Sequence, residues 1–239
     1  MNNFGTEEPR LVNPDRTGLN AFFKKVYGYM FLALLVTAAT SYVGVTVFAV
    51  QIATMLSNPI AILILAGIMM AVASFASGQS MSNPGRSFGL MMGYSVLMGV
   101  FFTAIALTVN LGMIFSAFVT TAAVFGGMAL YGLNTKRDMS SMSALLFGAV
   151  IALIIGGIIN LFFFNSVVYL LISVIGVVVF SLMTAYDMNK LKQLYFSVQG
   201  NTQSEQGVAV FGALSLYLDF VNLFIYILRL FQIFGNNND

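Results

Sequence analysis

Asp187 and Asp219 are the two side chains of this sequence whose type and setting invite chemistry. Each is a carboxylic acid inside, or at the edge of, an apolar run long enough to cross a membrane. Asp219 lies in LSLYLDFVNLFIYILRLF (214–231), and no other charge follows it until Arg229. Counted from Val208, it falls about 16 Å along a helix that rises ~1.5 Å per residue. An ionised carboxylate at that depth costs on the order of 2.5 kcal/mol or more, so the group must be paired, hydrated or protonated. Asp187 precedes Lys190 by one helical turn and lies shallower. The last two spans run in opposite directions, so both acids fall in the same half of the membrane, and if the two helices pack as neighbours the carboxylates approach each other. Two close carboxylates resist carrying two negative charges, so such a pair shares a proton and responds to pH. It also offers hard oxygen ligands for a transient contact with a divalent cation such as calcium. Plainer roles are a helix-end charge tied to Lys190 for Asp187, and a packing bond to Asn222, Ser215 or backbone for Asp219. Arg229 reads as a side chain snorkelling to the membrane surface.

Other chemistries are closed off by what is missing. The chain has no cysteine and no histidine. Disulfides, thiolate catalysis, Ser-His triads and Cys/His zinc sites therefore drop out together. The usual sensor of pH near neutrality drops out too, which leaves carboxylates and lysines for that task. A second intramembrane aspartate after Tyr186-Asp187 raises the possibility of a presenilin-type aspartyl protease. Those enzymes use Gly-x-Gly-Asp at the second acid and a late Pro-Ala-Leu segment. Here Leu216-Tyr217-Leu218 precedes Asp219, and the last proline is Pro84. The expectation is a protein that is not an enzyme and holds no tightly bound cofactor.

The elements that must position the two acids are membrane spans. Of 239 residues, 59% are hydrophobic and 8% charged, against about 25% charged in soluble domains. Apolar runs place seven spans at 26–50, 59–77, 88–109, 111–133, 142–161, 166–189 and 208–234. Polar punctuation separates them at Ser57-Asn58-Pro59, Ser82-Asn83-Pro84-Gly85, Asn110 and Asn134-Thr135-Lys136-Arg137-Asp138. With the N-terminus inside, the cytoplasmic segments hold Arg10, Arg16, Lys24, Lys25, Arg86, Lys136, Arg137, Lys190 and Lys192. Only Arg229 falls near the far side, so the positive-inside rule selects this orientation. The net charge of +2 is thereby accounted for by membrane orientation, and no nucleic-acid partner is expected. Residues 1–23 read as a polar, largely disordered cytoplasmic tail, 24–235 as the transmembrane domain and 236–239 as a short polar end. The stretch from Lys190 to Gln206 reads as a mobile cytoplasmic loop. Gly126-Gly127, Gly148, Gly156 and Gly157 suit close helix packing. The fifteen methionines and 23 phenylalanines read as packing and lipid-facing side chains.

TAYDMNKLK (184–192), LYLDFVNLFIYILRLF (216–231), MALYGLNTKRDMSSM (128–142) and GAVIALIIGGIINLFF (148–163) resemble the Bax inhibitor family, the transmembrane Bax-inhibitor-motif proteins. The likeness covers most of residues 88–234, and the polar start looks most like bacterial members. It implies an all-α integral membrane protein of the bacterial inner membrane, with seven transmembrane helices and a central C-terminal helix. It also implies a calcium leak that responds to pH, with more leak in mild acid and calcium as transported substrate; a proton-linked calcium transporter is a variant of the same reading that the sequence leaves open. Asp187 and Asp219 match the family's paired aspartates at the cytoplasmic side of the pore, with Thr184 and Asn222 as nearby polar support. Related proteins often carry a charged latch in the second helix. Here PIAILILAGIMMAVASFASGQS has no charge, and Arg86 in the following loop is the basic residue left for that part. The alternative implied by relatives is a non-transporting protein that binds and modulates a membrane-bound AAA protease, with the polar tail as contact. In either case the immediate partner is membrane lipid.

Overall fold

Asparagine decides where five of the helices begin, Asn201 accepting from Ser204 N–H at 3.0 Å before the last of them. A helix start leaves backbone N–H groups without partners, and a short side-chain oxygen can accept from them. Asn58 Oδ1 accepts from Ile60 N–H at 2.9 Å, Asn83 from Arg86 at 3.0 Å, Asn110 from Met113 at 2.7 Å, and Asn165 from Val167 at 2.9 Å. Pro59 and Pro84 occupy the first helical position after two of these caps, where proline's missing N–H costs nothing.

A computed structural model describes residues 16–235. Its helices are α1 (Arg16–Val47), α2 (Ala49–Leu56), α3 (Pro59–Gln79), α4 (Pro84–Thr108), α5 (Leu111–Asn134), α6 (Ser143–Phe162), α7 (Ser166–Val198) and α8 (Thr202–Gly235). A 3-10 turn, Ser140–Met142, leads into α6. All but α2 are long and apolar enough to cross a membrane, which makes seven spans. Residues 1–15 and 236–239, and with them most of the polar tail and its proposed protein contact, lie outside the described residues.

Among these helices α8 is the centre. In its most apolar stretch 72% of residues are buried, against 11–33% in the other spans. It packs against α1, α3, α4, α5 and α7, while α6 docks on α7. Val208, Leu214, Leu216, Tyr217, Val221, Leu223 and Leu228 are all buried along it, as expected of a mostly apolar helix enclosed by others. The outer helices instead show large side chains such as Phe31, Ile60, Phe115, Phe147 and Phe163 on their surfaces, which lipid covers.

Two expected boundaries are corrected. Residues 16–23, expected as part of a disordered tail, are helical, because α1 begins at Arg16. The expected loop from Lys190 to Gln206 shrinks to Gln199–Asn201, because α7 continues to Val198 and α8 starts at Thr202. At ~1.5 Å per residue, the 33 residues of α7 run about 50 Å, well beyond the ~30 Å hydrocarbon layer. One contact explains both extensions. Phe22 packs its ring 4.9 Å from that of Tyr195, so the early turns of α1 and the late turns of α7 pack on each other. Gly200, at φ 93°, makes the turn into α8 and donates its N–H to Glu205 Oε1 at 2.7 Å.

Of the glycines expected at close helix approaches, only Gly156 has a near neighbour, Ile172 Cδ1 of α7, 3.3 Å from where a Cβ would stand. A Cβ added at Gly126, Gly127, Gly148 or Gly157 would meet nothing within 4 Å. At Gly132 it would run into the carbonyl of Ala185, and at Gly176 into the Tyr226 ring at 2.5 Å. These two glycines set how near α7 lies to α5 and α8.

Candidate functional site

Ser215, Asp219, Asn222 and Tyr226 recur at intervals of three and four along α8, so they share one face. All four line a cavity of about 530 Å3. Phe180, Met183 and Asp187 enter it from α7 at the same spacing. Its remaining walls are apolar or aromatic: Ile62, Leu65 and Met69 from α3, Tyr94, Met98 and Phe101 from α4, and Val150, Leu153 and Ile154 from α6. Met69, Met98 and Met183 are thus walls of the site as well as packing residues. From Ser215 to Tyr226 the cavity follows α8 for about 16 Å. Asp187 and Ser215 stand at the end of the bundle that also carries Lys24, Lys25, Lys136, Arg137, Lys190 and Lys192.

The structure brings both acids into this cavity. Asp187 is 8% exposed and Asp219 3%. Asp219 Oδ2 is buried without a hydrogen-bond partner, and Asp187 is its neighbouring carboxyl group. A buried polar atom left unsatisfied costs about 1–3 kcal/mol, so that oxygen calls for a proton, a water or a cation. The Ser215 side chain sits beside Asp187 as a hydrogen-bonding neighbour, and Lys190 is close enough to act on it electrostatically. Lys190 does not close on Asp187 as an ion pair. Its Nζ lies over the rings of Tyr186 and Phe211, 5.8 Å and 5.6 Å from their centroids.

The other expected residues divide. Asn222 lines the cavity, but its Nδ2 donates to the Leu218 carbonyl at 2.8 Å, which leaves the amide oxygen for a ligand. Thr184 is buried with its hydroxyl donating to the Phe180 carbonyl at 2.8 Å, inside its own helix. Arg86 is exposed at the start of α4 and is not among the cavity residues. The wall that α3 offers the acids is uncharged, so any closure from that side is by apolar packing and not by a basic latch. Arg229 lies between the rings of Tyr169 and Tyr226, 5.2 Å and 5.3 Å from their centroids. Among the described residues no cluster of three or more His, Cys, Asp or Glu occurs. The two aspartates are therefore the whole anionic donor set of the cavity.

Tyr94 is a site residue that the sequence reading passes over. It lines the cavity and stands edge-on to the Tyr217 ring at 5.9 Å. Tyr217 faces away from the acids and its hydroxyl meets Thr37 Oγ1 at 2.7 Å. Thr37 Oγ1 also lies within hydrogen-bond reach of the carbonyls of Ala33 and Ser95, at 3.0 Å and 3.1 Å. Either hydroxyl can donate in the shared bond, and the network ties α8 to α1 and α4. Tyr217→Phe is expected to lower thermal stability in detergent by about 0.5–1.5 kcal/mol, read as a fall in Tm with the fold retained.

Comparison with known proteins agrees with this architecture. Residues 19–236 match the family described as inhibitor of apoptosis-promoting Bax1. The chain is 36% identical to the inner membrane protein YbhL of Escherichia coli K12 over 228 residues, 95% of each chain. It is 39% identical to the uncharacterized protein YrjE of Lactococcus lactis over 223 residues, 93% of this chain and 94% of that one. An uncharacterized protein of Borreliella burgdorferi is 36% identical over 213 residues, 88% of this chain and 90% of its own length. A match over nearly the full length, on a fold of seven spans around a central last helix, places this chain in the Bax inhibitor family of multi-pass membrane proteins.

Proposed function

We propose that this protein is a pH-sensitive leak for calcium, with Asp187 and Asp219 as the pair that binds both the ion and the proton. The observation that carries the reading is the orphaned, buried oxygen of Asp219 beside a second carboxylate in a walled cavity. Carboxylates inside a membrane face protein or water-filled space and mark ion or proton paths. Calcium takes six to eight oxygens. Two carboxylates, the Ser215 hydroxyl, the Asn222 amide oxygen and water supply hard ligands of the required kind, held loosely enough for passage.

Conduction needs binding strong enough to admit the ion and weak enough to release it. A fully ionised pair holds a dication firmly, and a proton on the pair loosens that hold. Flux is therefore expected to rise in mild acid and to fall as the pair loses its proton. The basic end of the bundle, with the N-terminus, faces the cytoplasm under the positive-inside rule. The relative YbhL carries the name of an inner membrane protein, and we place this chain in the same kind of membrane.

The test is calcium entry into liposomes that hold a calcium dye, with the purified protein reconstituted and the pH stepped from about 8 to about 5. Entry above that of empty liposomes, rising toward acid, supports the leak. Entry equal to empty liposomes at every pH overturns it. The competing role is then a binding protein for a membrane partner such as an AAA protease. Removal of residues 1–15, which stops short of α1, addresses that role without cutting into the first helix.

A further inference from the structure

Outside the aspartate cavity, the basic residues of the α5–α6 connection gather into a second pocket. A cavity of about 380 Å3 lies between this connection and the late turns of α7. Lys136 and Arg137 line it from the connection, and Lys192 from α7, against the one carboxylate of Asp138. We propose that this pocket binds the phosphodiester headgroup of an anionic glycerophospholipid. The inference stands on its own geometry and does not depend on the calcium reading.

Several observations fit that ligand. The wall on α7 is prepared in advance: Lys192 Nζ donates to the Leu133 carbonyl at 2.9 Å, and Gln193 Nε2 to Asn189 Oδ1 at 2.8 Å. Lys192 is thereby fixed while two of its three N–H donors stay available. Asp138 does not neutralise the cluster. Its Oδ1 accepts from Ser140 N–H at 2.9 Å. Bonds from Ser140 hold its carboxyl below the usual range, so its charge is constant and directed toward the 3-10 turn. The pocket thus keeps an excess of positive charge, with Arg137 able to meet phosphate oxygens in a two-pronged fashion.

Depth selects a lipid over a free anion. α5 ends at Asn134 and the turn into α6 begins at Ser140, so the pocket sits where spans leave the hydrocarbon and headgroups begin. Leu130 and Tyr131, one turn earlier on α5, are 61% and 52% exposed on the outside of the bundle. They offer apolar surface for the chains of a lipid whose headgroup is held above. Phe196, on the pocket wall itself, adds an apolar edge beside the cations. Basic pockets at this level are suited to anionic headgroups.

The test uses the full chain in detergent, titrated with phosphatidylglycerol or with phosphatidylcholine and read by native mass spectrometry. Phosphatidylglycerol is expected to bind more tightly than phosphatidylcholine. The double variant Lys136→Gln, Arg137→Gln is expected to weaken it by about thirtyfold, from two cations near an anionic group. Both residues are exposed, so the variant leaves the fold intact. Lys192→Gln gives a second, independent loss at the buttressed wall. Arg86→Gln removes a cation at the same end of the bundle but outside the pocket, and binding should not change. Equal binding of the two lipids, or an Arg86→Gln loss as large as that of the double variant, overturns the proposal. Displacement of phosphatidylglycerol by millimolar inorganic phosphate overturns it as well, because the pocket would then take a free anion.

Discussion

Asp219→Asn is expected to leave calcium flux nearly flat between about pH 8 and about pH 5. The wild-type protein should change its flux about tenfold over the same range, the effect of ~1.4 kcal/mol on a limiting barrier. The reasoning starts from the side chain's surroundings. Asp219 is buried at the centre of the bundle, with one oxygen unpartnered and a second carboxyl group as its neighbour. Asparagine keeps the shape and removes both the charge and the titration. The cavity then holds one carboxylate, which binds a dication less firmly and has no partner with which to share a proton. Flux measured in liposomes, with protein content matched by gel, checks this. A variant that retains the wild-type slope would show that the proton acts elsewhere.

Glycine substitutions on α5 are expected to have opposite effects at positions only five or six residues apart. Gly132→Val should lower stability by about 1–3 kcal/mol, the range for forcing extra atoms into a packed contact. Its Cβ would collide with the backbone carbonyl of Ala185, which cannot move aside as a flexible side chain could. Because Ala185 is two residues before Asp187, the displacement should also shift the acid. Gly126→Ala and Gly127→Ala meet open space and should stabilise the helix by roughly 0.5–1 kcal/mol each. Thermal unfolding in a single detergent ranks the three variants. Similar losses for all three would mean that the α5–α7 contact is not set by Gly132.

These glycines show where the sequence is readable and where it stops. The spans were legible because lipid demands long charge-free runs, and the asparagine-proline punctuation marks their starts in plain view. Asp187 and Asp219 were legible for the same reason, since an acid in such a run stands out. Which glycine touches which helix was not, because it depends on the rotation of each helix about its axis. The runs at Gly126-Gly127 and Gly156-Gly157 look more suitable than the lone Gly132, yet they turn outward or toward flexible side chains.

The helical ends beyond the membrane were hidden differently. KLKQLYFSV carries two lysines and a glutamine, but Leu191 and Tyr195 are buried and Leu194 and Val198 pack against the same core. Their spacing of three and four is the signal of a helix with one buried face. Hydropathy averaged over a span obscures it. Phe22 and Phe23, buried at 6% and 5%, were obscured in the same way by the lysines that follow. On the site itself, Ser215 and Asn222 were already legible beside Asp219, and Tyr226 could have been added to them by helical spacing alone. Tyr94 could not, because nothing in α4 announces which of its faces meets α8. The uncharged α3 wall was visible in the sequence. The position of Arg86 outside the cavity became evident only in the fold.

The most direct test of the central claim is a double-mutant cycle on the pH dependence of calcium flux. Wild type, Asp187→Asn, Asp219→Asn and the double variant are reconstituted at equal density and followed across the same pH range. If the two carboxylates act as one proton-binding and calcium-binding unit, each single variant removes most of the slope and the double variant removes little more. Slopes that add independently, or single variants that both keep the wild-type slope, would contradict the account.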